Sequence, residues 1–168
     1  PSRLVGSEMC IRDRNHVVVL MGHSTGCQIS VAHAASGRQR ELVRALILQA
    51  PVSDREYMAT LPETAPNLAA AESMVAAGRG QELMPISADE APISADRFVS
   101  LAARGGADDM FSSDMSNEEL CARIGPVRSS RTPCVVLFSC ADEYIPSEVD
   151  TVALAERLAL ALGGEHVM

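Results

Sequence analysis

HVVVLMGHSTGCQISVAHAA, residues 16–35, is the stretch that decides the fold of this chain. Its first part, His16–Met21, is a short run rich in β-branched residues, which predicts a strand buried on both faces. Its last part, Cys27–Ala35, is a run of small and apolar residues that predicts a helix. A strand that leads through a tight glycine-flanked turn directly into a helix is typical of a parallel α/β sheet.

The turn itself, Gly22-His23-Ser24-Thr25-Gly26, has the G-x-S-x-G pattern of a nucleophile elbow. Such a turn holds its serine in a strained backbone conformation, and small residues at Gly22 and Gly26 leave room where strand and helix cross. The Ser24 hydroxyl would then project at the carboxyl end of the sheet, and the Thr25 N–H would supply half of an oxyanion hole. The pattern predicts a nucleophilic serine. The alternative is a glycine-flanked turn with an inert serine.

A nucleophilic serine requires a histidine base and a carboxylate that orients the base. In this type of fold the chain order is serine, acid, histidine. Asp142 lies 142 − 24 = 118 residues after Ser24, in the loop that follows the third predicted strand, and is the predicted acid. Glu143 is the neighbouring alternative, and Asp142 is also explained as an ordinary turn residue.

The four histidines of the chain are interpreted as structural. His16 begins a strand, His23 lies inside the elbow, and His33 lies two to three turns along the elbow helix. His166 would begin a fourth strand, at the end of the sheet opposite Ser24. We therefore expect the catalytic histidine to lie beyond residue 168.

Two further apolar runs, Leu46–Ala50 and Cys134–Cys140, predict parallel strands, and His166–Met168 would begin a fourth. The interval between the second and third strands is too long for an ordinary crossover, which predicts a helical cap insertion at about 61–131, built of short helices. The predicted fold class is α/β: a partial α/β-hydrolase fold in which a parallel sheet carries helices on both faces.

Local signals place several helix boundaries within this scheme. Capping boxes are predicted at Ser53–Glu56 and Ser116–Glu119, where serine and glutamate would satisfy each other's end amides. A helix is predicted at about 93–104 and another at about 147–162, each ended by a glycine pair. The segment between Ala107 and Asp114 is interpreted as a solvated acidic loop or a lid, because its aspartates lack the ligand spacing of a calcium loop.

Composition excludes several classes of protein. The formal charge of −8 argues against a nucleic-acid partner or an anionic membrane surface, and no apolar run is long enough to span a membrane. The five cysteines are odd in number and lack a C-x-x-C pair, which argues against a disulfide framework or a zinc site. With no secretory signal in the sequence, we expect a cytoplasmic protein without a metal or other cofactor.

Residues 1–14, PSRLVGSEMCIRDR, differ from the rest of the chain. They show neither helical nor strand periodicity and are similar to the adapter sequence found at the ends of assembled transcripts. We interpret them as a non-native leader, with an ordinary polar leader as the alternative. Residues 15–168 would then be the α/β-hydrolase core.

Four blocks of sequence resemble the fungal fusarinine C esterase family, a branch of the α/β-hydrolases. They are LMGHSTGCQ, LILQAPVSDREY, PISADRFVSLAARGGADDMFSSDMSNEEL and VVLFSCADEYIPSEVD. The elbow is common to α/β-hydrolases, whereas QAPVSDRE and DDMFSSD are more specific. The resemblance implies that Ser24 is the nucleophile, Asp142 the triad acid and Thr25 an oxyanion donor. Characterised relatives hydrolyse ester bonds in a hydroxamate siderophore.

The leading hypothesis is therefore a serine esterase acting on a small-molecule ester through a Ser-Asp-His triad. The family also carries strands before the elbow and a histidine after the last strand. The resemblance therefore implies that the core at 15–168 is incomplete at both ends, and we expect this chain to be an internal piece that is nearly inactive by itself. Two alternatives remain: a non-catalytic binding protein with this fold, and an acyltransferase or peptidase. The sequence does not determine the oligomeric state.

Overall fold

A computed structural model describes residues 18–89, 91–130, 132–139 and 141–164, with the backbone alone at 129 and 130. The strands are β1 (Val18–His23), β2 (Val43–Gln49) and β3 (Cys134–Leu137). The helices are α1 (Gly26–Ser36), α2 (Asp54–Ala59), α3 (Thr64–Ala76), α4 (Ala95–Ala102), α5 (Asn117–Ile124) and α6 (Thr151–Ala161). The predicted leader and fourth strand, together with Cys10, His16, Cys140 and His166, lie outside the described residues.

The three strands form one parallel sheet in the order β1-β2-β3. Leu20 pairs with Leu46, which pairs with Cys134, so the three predicted apolar runs lie side by side. The boundaries differ from those predicted: β1 continues through Gly22 and His23, and β2 begins at Val43 and ends before Ala50. Pairing between the two strands extends the end of β1 and the start of β2 past their apolar runs, whereas β3 ends at Leu137, short of its predicted end at Cys140. The predicted parallel α/β sheet is confirmed.

Burial alternates along the strands. On one face Leu46 and Leu48 are fully buried, and α1 packs against β1 and β2. On the other face Met21 is 59% exposed and Val135 is 51% exposed. The expectation that His16–Met21 forms a strand buried on both faces is therefore wrong for its described part, because Val19 and Met21 are both more than half exposed.

The chain divides into two compact units, which we call the sheet unit and the helical unit. The described residues of the sheet unit are those within 18–51, 116–139 and 155–164, and those of the helical unit lie within 52–115 and 141–154. Helix α6 is divided between them. No helix among the described residues is long and apolar enough to cross a membrane.

The helical unit has a hydrophobic core of its own. Phe98 is fully buried. It forms a cluster of buried residues with Ala71, Met84, Ala95 and Ala102, which lie on α3, on α4 and in the loop between these helices. Helix α3 runs for 13 residues, so the prediction of short helices alone in this region is wrong. Pro66 lies in the first turn of α3 and does not interrupt the helix, because the N–H that proline lacks would have had no partner there.

One predicted capping box is confirmed and the other is half correct. Ser116 and Glu119 satisfy each other's end amides at the start of α5. At the start of α2, the Glu56 N–H donates to Ser53 Oγ at 3.1 Å, but the Glu56 carboxylate does not return to Ser53. It accepts instead from the N–H and the hydroxyl of Ser113, at 2.9 and 2.6 Å. A tertiary partner has replaced the local one.

The acidic loop is not simply solvated, which corrects the sequence-based interpretation. Asp109 is 2% exposed, and its Oδ2 accepts from Arg55 Nε at 3.0 Å and from the Gly105 N–H at 2.8 Å. Asp114 also pairs with Arg55 and accepts from Arg104 at 2.6 Å. The charge of Arg55 is disfavoured by burial, but its bonds to Asp114 and Asp109 outweigh that effect and raise its pKa.

Candidate active site

Ser24 lies between the last residue of β1 and the first residue of α1, in the left-handed backbone region at φ 52°. This conformation is strained for a residue with a side chain. Two backbone hydrogen bonds hold it: the Ser24 N–H donates to the Gln49 carbonyl at 3.1 Å, and its carbonyl accepts from the Cys27 N–H at 2.8 Å. Ser24 is half-buried, and its hydroxyl has no hydrogen-bond partner among the described residues.

The two glycines of the turn differ in what surrounds them. A Cβ on Gly22 would lie 2.4 Å from the Gly26 carbonyl oxygen and 2.7 Å from Cys27 Cα, so the helix start crosses directly over Gly22. A Cβ on Gly26 would meet no atom of the described residues within 4 Å. Within the described part of the chain, the close approach therefore requires glycine at the first position alone.

Thr25 is the N-cap residue of α1, with helical backbone angles and an exposed side chain. Its N–H has no acceptor among the described residues. Peptide dipoles at a helix N-terminus favour negative charge there. The position is suited to a donor for a developing oxyanion, which is the role predicted from the sequence.

Ala50 is a second strained residue, and no sequence motif predicted it. It follows β2 at φ 50°, and its N–H donates to the Leu137 carbonyl at 2.7 Å. Ser24 and Ala50 are thus non-glycine residues in the left-handed region at the carboxyl ends of adjacent strands. Such outliers cluster at functional sites. Pro51 marked the end of the strand, but a proline favours extended backbone in the residue before it, so the left-handed conformation of Ala50 runs against the local preference.

Cys27 is the nearest thiol to the turn along the chain, and its environment keeps it protonated. Burial raises the pKa of Cys27 to about 12, against a weaker opposing effect of the hydrogen bond from its Sγ to the Gln49 carbonyl at 3.3 Å. A thiol is nucleophilic only as the thiolate. Burial also raises the pKa of Cys134 to about 11. Neither thiol competes with Ser24 as a nucleophile.

Asp142, the predicted acid, lies in the helical unit, whereas Ser24 lies in the sheet unit. Asp142 is half-buried, its Oδ1 accepts the Tyr144 N–H at 3.0 Å, and its carbonyl accepts the Ile145 N–H at 3.4 Å. This is the hydrogen bonding of an Asx turn. Glu143, the alternative, is exposed and makes no hydrogen bond or ion pair with the described residues.

Two of the four histidines lie in the described part of the chain. His23 is the exposed last residue of β1. His33 is half-buried in α1, where its carbonyl accepts the Gly37 N–H at 2.7 Å near the end of the helix. No group of three or more His, Cys, Asp or Glu side chains within the described ranges is arranged to hold a metal ion.

Residues 7–167 match the family described as protein of unknown function (DUF1749). The protein named Fusarinine C esterase sidJ from Aspergillus fumigatus is 31% identical over 185 residues, covering 83% of this chain and 52% of that protein. The solved structure of siderophore hydrolase EstB from Aspergillus fumigatus superposes with a TM-score of 0.71 at 32% identity, covering 87% of this chain and 52% of that one.

A second solved structure, named an alpha/beta hydrolase fold protein of unknown function, has a TM-score of 0.52 at 21% identity, covering 94% of this chain and 55% of that one. This similarity concerns the fold alone. The resemblance to fusarinine C esterases stated from the sequence is confirmed by these matches. The chain spans about half the length of the curated relatives it matches.

Proposed function

Because the chain belongs to the DUF1749 family, and its matched relatives include an esterase and a siderophore hydrolase, we propose that it carries the nucleophile and the acid of a serine hydrolase. The substrate is a small-molecule carboxylic ester. The names of the relatives make siderophore esters the first substrates to test.

One observation carries this proposal: Ser24, the central residue of Gly22-His23-Ser24-Thr25-Gly26, has a side chain yet stands at φ 52° between a parallel strand and a helix. Left-handed backbone costs such a residue about 1–2 kcal/mol. Chains retain that cost where the conformation aims a side chain at a reaction. In the proposed reaction Ser24 Oγ attacks the ester carbonyl, and the Thr25 N–H stabilises the oxyanion.

A histidine takes the proton of Ser24 and returns it to the leaving alcohol, and water then hydrolyses the acyl-enzyme by the same route. We assign this base to a histidine outside residues 1–168. His23 and His33 belong to the turn and to the helix behind it, and neither side chain bonds to the Ser24 hydroxyl. Asp142 is the proposed acid that orients the base. In this proposal residues 15–168 belong to the hydrolase core, with the cap at about 61–131.

The test is labelling by a fluorophosphonate, which reacts with activated serines, in the protein expressed from its complete coding sequence. We expect Ser24 to carry the label and Ser24→Ala to lose both labelling and ester hydrolysis. Asp142→Asn should lower kcat by about 10⁴, the usual cost of a misoriented base. Glu143→Gln is the matched control and should stay within about twofold of wild type. Labelling at another serine would reject the assignment, and a loss confined to Glu143→Gln would move the acid to Glu143.

A further inference from the structure

The two tyrosines of the chain contact each other beside the proposed acid. Tyr57 lies on α2, and Tyr144 lies two residues after Asp142. Their ring centroids are 5.0 Å apart at an interplanar angle of 61°, an edge-to-face arrangement. Such pairs stabilise by more than the area they bury, because the positive edge of one ring meets the negative face of the other. This contact joins a helix to a loop of irregular structure.

Tyr144 is also bonded to Asp142 through its backbone. The Tyr144 N–H donates to Asp142 Oδ1 at 3.0 Å, which fixes the carboxylate relative to the main chain of the loop. The ring and the N–H belong to one residue, so a ring held in place by Tyr57 also restrains the donor that orients Asp142. The contacts therefore run from Tyr57 to Tyr144 and from Tyr144 to Asp142, all within the helical unit.

Helix α2 is short, with six residues, but side chains in its first turn attach it to the acidic loop. Ser53 Oγ lies 2.6 Å from the buried Ser112 Oγ, and Arg55 Nε donates to the buried Asp109 at 3.0 Å. These residues belong to the QAPVSDRE and DDMFSSD blocks that distinguish the family by sequence. Helix α2 is thus a fixed support from which Tyr57 projects.

We propose that Tyr57 is a positioning residue for Asp142, acting through the ring and the backbone N–H of Tyr144. The inference rests on the proposed function of Asp142 and adds a part that the sequence blocks did not reveal. The ring of Tyr57, and not its hydroxyl, makes the positioning contact, because the hydroxyl has no hydrogen-bond partner among the described residues. Tyr57→Phe keeps the edge-to-face contact, whereas Tyr57→Leu removes it.

Hydrogen exchange at the Tyr144 and Ile145 amides tests the contact directly, in the protein expressed from its complete coding sequence. We expect Tyr57→Leu to speed this exchange about three- to tenfold, the range that the loss of one aromatic pair allows. Tyr144→Leu tests the same contact from the exposed side of the pair. Leu68→Ala is the control: Leu68 packs against the hydrophobic core of the helical unit and is not part of the tyrosine pair. It should leave the exchange of both amides unchanged.

Steady-state kinetics then separate a positioning role from a structural one. Tyr57→Leu should lower kcat about tenfold with KM unchanged within about twofold, since a misplaced acid affects the transition state and not substrate binding. Tyr57→Phe should restore wild-type kinetics. Unchanged exchange in Tyr57→Leu would overturn the inference, and so would an equal loss in Tyr57→Phe, which would make the hydroxyl a substrate contact. Faster exchange in a protein with no esterase activity would uphold the loop contact and reject the proposed function instead.

Discussion

Exchanging each glycine of the elbow for alanine tests the geometry from which the proposed function is argued. A Cβ at Gly22 would lie 2.4 Å from the Gly26 carbonyl oxygen, 2.6 Å from its carbonyl carbon and 2.7 Å from Cys27 Cα. All three are backbone atoms at the start of α1, so no side chain can rotate away to make room. Overpacking of this kind costs about 1–3 kcal/mol, and the fixed neighbours favour the upper end of that range.

Gly26→Ala is the matched control from the same five residues. Its Cβ meets nothing within 4 Å among the described residues, and alanine suits a helix better than glycine by up to about 1 kcal/mol. Gly22→Ala should therefore be less stable than Gly26→Ala by about 2–4 kcal/mol. Urea unfolding followed by far-ultraviolet circular dichroism measures this difference. Equal midpoints for the two variants would refute the argument that strand and helix cross at Gly22.

Two further predictions concern the carboxyl end of the sheet. Ala50→Gly should raise the free energy of unfolding by about 1 kcal/mol, because φ 50° strains alanine and not glycine. The control, Ala45→Gly inside β2, should lower the free energy of unfolding by about 0.5–1 kcal/mol. A lower free energy of unfolding in both variants would contradict the strain at Ala50. For Cys27 the folded pKa of about 12 lies above the unfolded value of 9.0, so the folded state keeps a proton that the unfolded state loses. The protonated thiol therefore contributes free energy of unfolding below pH 9 that is lost as the pH rises toward 12. About 1.4 kcal/mol of this contribution is lost between pH 8 and 10. The difference in unfolding free energy between wild type and Cys27→Ala should shrink by that amount, and a constant difference would show that the thiol ionises normally.

Local sequence determined the parts of the fold that depend on neighbours along the chain. The apolar runs placed the three strands, the G-x-S-x-G pattern placed the turn, and Ser116–Glu119 placed the start of α5. Each of these features requires residues at most six positions apart, so their spacing is visible in the sequence itself. The positive φ of Ser24 agrees with the strain that the pattern implies.

Tertiary structure decided what depends on residues far apart in sequence. The Glu56 carboxylate bonds to Ser113 and not to Ser53, its predicted local partner. Asp109, which the sequence placed in a solvated loop or a lid, is buried beside Arg55. A carboxylate bonds to a distant partner in place of a local one when the distant partner offers more hydrogen-bond donors. Only the fold determines which distant groups meet.

The strained conformation of Ala50 and the contact between the two tyrosines also depend on residues that are far apart in sequence. Alanine has no preference for φ 50°, so the hydrogen bond to the Leu137 carbonyl and the route of the chain into α2 impose it. Tyr57 and Tyr144 are 87 positions apart (144 − 57), and no local pattern links them. The sequence by itself thus predicted which residues could react, because that prediction depends on short-range spacing. Only the tertiary structure decided which residues hold them in place, because contacts between distant segments exist only once the chain has folded.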